Sequence, residues 1–218
     1  MIPLHILSKF GNYEVEIGGV NVKVSVIDHA ALIDDKIHEL TSLLQRNVVG
    51  VDVKFHVEHR RGVAKLLILC VENRCLVIQL AQLSNQYPDS LKKFLSNETI
   101  CFVSFNVSNM YIKDLPCLNG VEVGELAARV LKNPKLLRCV KLEDLVSKVG
   151  VSSETAAELL EPTPKWNARV YSEKEIINAS HKAYTCYVIG SKMLDTLYLN
   201  SDNLSSDNKI HNTTCNYK

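Results

Sequence analysis

Val48-Val49-Gly50-Val51-Asp52-Val53-Lys54-Phe55 is the stretch on which the fold of this chain turns. Hydrophobic residues lead into an acid. The two-residue period of an extended strand then puts Asp52 and Lys54 on one face, with Val51, Val53 and Phe55 on the other. The stretch predicts the first central strand of an α/β domain, delivering one carboxylate to a site. Chemistry that runs on two metal ions needs a second acid at position 54, and position 54 is a lysine.

Around that strand the chain has the composition of an ordinary globular domain. Its 218 residues suffice for one domain with a sizeable core, and the hydrophobic and charged fractions are 46% and 22%. A net charge of +1, from 25 basic and 24 acidic residues, announces no polyanion partner, so any such site has to be local. The seven cysteines are odd in number, form no Cys-x-x-Cys pair and sit largely in apolar runs. They are therefore expected as buried free thiols rather than a zinc or disulfide framework, which suits a reducing compartment. Met1-Ile2-Pro3-Leu4-His5 lacks the features of a signal peptide, and the apolar run Leu66 to Val71 is too short to span a bilayer. A cytoplasmic or nuclear protein with no membrane partner is expected.

Before the central strand, residues 13 to 27 alternate apolar and polar around Gly18-Gly19 and predict a hairpin. A helical stripe of Ala31, Ile33, Ile37, Leu40 and Leu44 follows. After the central strand, a basic turn His59-Arg60-Arg61-Gly62 leads to the strand Ala64 to Val71, and a tight turn leads to Cys75 to Leu80. These three strands predict an antiparallel meander. The pattern then becomes βα: helix Asp89 to Leu95, strand Thr99 to Phe105, helix Ser108 to Leu115, a short strand Val121 to Val123, and helix Glu125 to Leu131. Short helices Leu142 to Val149 and Ser153 to Leu160 precede a break at Pro162 and Pro164. Ser172-Glu173-Lys174-Glu175 is a capping box, opening a helix through Ile176, Ala179, Ala183 and Tyr187 toward Leu194. The domain is expected to occupy residues 1–197, and the polar tail of 198–218 to be disordered.

Val49-Gly50-Val51-Asp52, Asn73-Arg74-Cys75-Leu76-Val77-Ile78-Gln79-Leu80, Leu91-Lys92-Lys93-Phe94-Leu95 and Phe102-Val103-Ser104-Phe105 stand in a characteristic order. So do Glu125-Leu126-Ala127-Ala128, Leu142-Glu143-Asp144-Leu145, Trp166-Asn167-Ala168-Arg169-Val170 and Ala183-Tyr184. Together they resemble the 3′–5′ exonuclease domain of the Werner-exonuclease type, as found in small stand-alone plant proteins. The likeness covers roughly residues 10 to 195. It implies a ribonuclease-H-like, three-layer α/β/α fold with a mixed sheet of five to six strands.

In that family four carboxylates hold two divalent metals that activate water and stabilise charge on the phosphodiester. Only Asp52 matches them. Lys54 stands for the second acid, Met110 for the third, four residues beyond the landmark Asn106, and Lys182 for the last, with Asn178 in place of a tyrosine. No other acid substitutes well: Glu58 lies about 20 Å along the strand, Asp114 about 6 Å along its expected helix, and Glu175 two turns before Lys182. The resemblance thus implies a binder of single-stranded nucleic acid with lost or strongly reduced hydrolysis. Lys54, Lys182, Asn106, Arg60 and Arg61 are the candidate contacts, and Asp52 is either a residual metal ligand or a partner of the lysines. No cofactor is expected; Mg²⁺ or Mn²⁺ enters only if the chain is instead an active exonuclease with an atypical or subunit-shared site. A homo-oligomer, or an assembly with an active paralogue, is the implied setting, and a non-catalytic interaction scaffold is the remaining reading. Met110 is read as packing. Trp166 and Arg169 are read as a staple onto the core more than as nucleic-acid contacts.

Overall fold

A computed structural model describes residues 3–58, 61–83, 86–110, 112, 114–115, 117–151 and 166–211. The helix α1 (Leu4–Phe10) leads into the hairpin of β1 (Asn12–Ile17) and β2 (Val20–Ile27). Gly18 and Gly19 turn it with φ of 62° and 75°, the left-handed backbone that a two-residue hairpin with matching twist requires. Helix α2 (Ile33–Ser42) follows, then β3 (Val48–Glu58), β4 (Arg61–Val71) and β5 (Arg74–Gln79), paired antiparallel as a meander. The second half alternates α3 (Asp89–Leu95), β6 (Cys101–Ser104), β7 (Gly120–Glu122), α4 (Val123–Val130) and α5 (Leu142–Val149), and α6 (Glu173–His211) closes the described chain.

The described strands form one sheet in the order β1-β2-β5-β4-β3-β6-β7, with β6 and β7 parallel to β3. Seven strands exceed the five to six expected, because the hairpin does not stand apart: β2 pairs parallel with β5 and thereby buries Val22 and Val24. On one face α2 and α3 cover Val49, Val51, Val53, Leu67, Leu69, Leu76 and Ile78. On the other, α6 covers Leu66, Ile68 and Val77, and with α4 and α5 also Val48 and Val103. The alternation read from the central strand is thus realised: odd positions of β3 face α2 and α3, even positions face α6.

Four expectations change. The stretch expected as a helix from Ser108 to Leu115 is a 3-10 helix, Val107–Met110, after which Ile112 and Leu115 form a β-bridge. Asp114 takes a left-handed φ of 65°, which a continuous helix does not tolerate, so the one-turn offset from Met110 has no helix to run along. Cys70 and Cys75, expected as free thiols, are joined by a disulfide; they are register partners in the β4–β5 pair with Cα atoms 4.3 Å apart. Finally, α6 runs to His211, where a disordered tail was expected from Tyr198. Between Gly190 and His211 the sequence has neither proline nor glycine, the two residues that most strongly oppose a continuing helix. The helix expected from Ser153 to Leu160, and Pro162 and Pro164, lie outside the described residues. Among the described residues no helix is long and apolar enough to cross a membrane.

Candidate functional site

The capping box opens α6 as the sequence requires: the Ser172 N–H and Oγ–H both donate to Glu175 Oε2, at 2.8 and 2.9 Å, and the Glu175 N–H reaches back to Ser172 Oγ at 3.4 Å. The helix then presents small residues to the sheet. A β-carbon added to Gly50 would lie 2.0 Å from the Ala183 carbonyl oxygen and 2.6 Å from the Tyr187 nitrogen, so α6 rests directly on the β3 backbone. This contact sets the height of everything on that face, including Asp52 two residues further along.

Asp52 is 5% exposed. The ammonium of Lys54 lies 2.8 Å from its Oδ2, with the two side chains 8% and 14% exposed, and Oδ2 has no hydrogen bond beyond that ion pair. Lys54 Nζ also lies 5.7 Å from the centroid of the Trp166 ring, within the range of a cation–π contact. Trp166 is itself buried, in a left-handed backbone conformation with φ of 54°, and it leans on Tyr171 with ring centroids 6.1 Å apart. The indole is therefore a staple onto the core, as its position before the capped helix suggested.

Lys182 is half-buried on α6, one turn before the fully buried Cys186. Burial pushes the Cys186 thiol far up; the negative charges of Asp52 and Glu122 push the same way, while the charge of Lys182 opposes them. The strand register puts Glu122 at the same end of the sheet as Asp52: Gly50 pairs with Val103, and the next residue, Ser104, pairs with Glu122. Glu122 is the residue that sequence reasoning missed. It ends β7 and accepts a hydrogen bond from the Val107 N–H at 3.2 Å, at the first turn of the 3-10 helix that carries Met110. Burial raises its carboxyl above the usual range, the Val107 bond works against this, and Glu125 adds to it. Its signal was present in the short strand Val121 to Val123, at whose centre it sits.

The remaining candidates separate. Met110 is 5% exposed and packs in the core against Gly120, so it is a packing residue. Asn106 is exposed, its N–H donating to Ser104 Oγ at 3.3 Å. Asn178 is half-buried on α6. Arg60 lies outside the described residues; Arg61 opens β4 opposite Glu58, its side chain outside the description.

The donor set around Asp52 does not fit a divalent cation. Among the described residues no three His, Cys, Asp or Glu side chains are grouped so that they could hold a metal ion. An ammonium lies 2.8 Å from the carboxylate, and it repels a cation there.

The architecture is a fold shared with solved structures of RNase D and of RRP6. Escherichia coli RNase D shares it with a TM-score of 0.59 at 13% identity, over 82% of this chain and 46% of that one. The catalytic core of RRP6 from Trypanosoma brucei matches with a TM-score of 0.57 at 15% identity, over 82% and 48% of the two chains. Trypanosoma brucei RNase D matches at 0.57 and 14%, over 77% and 63%. The chain spans about half the length of the first two and under two thirds of the third. No family model matches the sequence, and no curated protein matches it.

Proposed function

We propose that this protein binds single-stranded nucleic acid at the α6 face of its central strand and has lost, or strongly reduced, metal-dependent phosphodiester hydrolysis. The observation that carries this is the partner of Asp52: a lysine ammonium at 2.8 Å, where hydrolysis would call for a further carboxylate and a metal. The fold supports a nucleic-acid ligand, since Trypanosoma brucei RNase D, which shares it, has been solved in complex with the RNA U12. Because Lys54 is engaged by Asp52 and Trp166, Lys182 is the principal phosphate contact; a lysine binds phosphate as a point charge without needing a metal. Asn106, exposed at the sheet end, is a further contact, and Arg60 and Arg61 add steering charge. The protein acts in the cytoplasm or nucleus, as a homo-oligomer or with an active paralogue.

A second reading has one observation in its favour. Glu122 supplies a second carboxylate at the end of the sheet where Asp52 lies, as an atypical exonuclease site would require. One experiment separates the two. Purified protein is incubated with labelled single-stranded RNA and DNA in Mg²⁺ or Mn²⁺, beside Asp52→Ala. Binding without shortening is expected, with affinity that falls as salt rises and weakens about tenfold in Lys182→Glu. Ladder-like shortening that disappears in Asp52→Ala establishes the active enzyme instead. No affinity for either strand at low salt leaves an interaction scaffold.

A further inference from the structure

A lysine and an aspartate side by side on a strand usually part company and reach for water, because desolvating two ions costs more than their attraction returns unless the site is closed around them. Lys54 and Asp52 do the opposite. Their side chains are 14% and 8% exposed, in contact at 2.8 Å, and the Trp166 ring lies over the ammonium at 5.7 Å. Position 54 also precedes an irregularity: the β3–β4 register shifts between Lys54 and Phe55, the kind of bulge that re-aims a side chain. Trp166 is held in a left-handed backbone conformation, an unfavourable geometry for a bulky side chain that its burial maintains.

We propose that Lys54 is a resident counter-cation: its ammonium occupies the position from which a divalent ion would neutralise Asp52, and Trp166 seals it there. The inference deepens the metal-independent part of the function proposed above and rests on it. It also states what the site is left to bind. With Asp52 cancelled by Lys54, Lys182 is the cation left to meet a phosphodiester, and the Glu122 carboxylate at the same end of the sheet opposes it. A site of this kind takes a phosphodiester directly and has no place for a metal between the ligand and the protein.

The test uses the full chain without nucleic acid, so that it fails or succeeds independently of any binding assay. Melting temperatures are measured for the wild type, Lys54→Met, Lys54→Glu and the double variant Asp52→Asn/Lys54→Met, each in EDTA and in millimolar Mn²⁺. The wild type is expected to melt at the same temperature in both. Lys54→Met leaves a buried carboxylate uncompensated and is expected to melt roughly 6–20 °C lower, whereas the double variant, with neither charge, recovers most of the loss. Lys54→Glu is expected to melt lower still in EDTA and to regain stability only with Mn²⁺, as a protein does when a ligand binds its folded state. A wild-type melting temperature that rises with Mn²⁺ overturns the proposal. So does a double variant that melts no higher than Lys54→Met, because the loss then comes from the lysine's packing and not its charge. A Lys54→Glu that ignores Mn²⁺ shows that the ammonium does not stand in a cation's place.

Discussion

Gly50 and Asp52 lie two residues apart on β3, face the same helix, and do opposite things. At Gly50 the helix touches the strand backbone through Ala183 and Tyr187, with no room for a single added carbon. At Asp52 the same interface opens enough to enclose a carboxylate, an ammonium and an indole. The first contact is backbone against backbone, dictated by size, and indifferent to side-chain charge. The second is polar and depends on which charges stand next to one another. The two contacts make different demands: the crossing at Gly50 needs only small residues, while the closed pair at Asp52 needs opposite charges.

The comparison is broken most directly at the crossing. Gly50→Ala forces α6 off the strand against backbone atoms and is expected to cost about 3 kcal/mol or more in chemical denaturation, and to disturb Asp52 as well. An unaltered stability shows that the helix does not bear on Gly50. Gly190→Ala tests the next contact along α6, where the new carbon meets side-chain methyls of Val103 and Val48 at 2.9 and 3.2 Å. Methyl groups yield more readily than backbone, so a cost of about 1–2 kcal/mol is expected, well below that of Gly50→Ala.

At the polar end the effects are smaller. Ser172→Ala removes the cap that starts α6 and is expected to cost about 1 kcal/mol, with urea midpoints as the readout. Tyr171, against the Trp166 ring, has its phenol raised from 10.0 to about 12 by burial, with the charge of Glu175 adding to the shift. The folded state therefore holds the proton more tightly than the unfolded chain. Stability from this group is intact below pH 10 and is lost as pH rises from 10 toward about 12. Fluorescence of Trp166, the chain's one tryptophan, reports the transition, and Tyr171→Phe is expected to flatten that part of the decline. The smallest effect belongs to Glu122. Its carboxyl is raised mainly by burial, so the folded state favours its protonated form and the ionised form carries a stability penalty at neutral pH. Glu122→Gln, which still accepts the Val107 N–H, is expected to raise the melting temperature slightly at pH 7, the gain vanishing below the ordinary glutamate range. A loss at pH 7 instead marks Glu122 as held by a positive charge at the site, which sharpens the claim of the second, active reading.

How far each feature was legible follows from how local its cause is. The β3 alternation, the Gly18-Gly19 turn and the Ser172–Glu175 cap depend on neighbours within a few residues, and each stands where the pattern placed it. The 3-10 helix after Asn106 departs from the helical pattern because Asp114 turns left-handed and Glu122, from another strand, caps the Val107 N–H. The Cys70–Cys75 disulfide needed a register between strands that spacing alone does not give, and β2 joined the main sheet through β5, beyond the reach of hairpin signals.

By itself, the sequence determined the kind of sheet, the strand that carries Asp52, and the lysine that shares its face at position 54, because residue identity and short periods require no partner. Tertiary structure alone decided what that neighbouring lysine does. Only the packing of α6 and Trp166 over β3 excludes water from Asp52 and Lys54 enough to turn two adjacent charges into a closed pair, and only the parallel placement of β7 brings Glu122 toward the same end of the sheet. Burial and cross-strand position arise from distant segments meeting, so no window of sequence contains them.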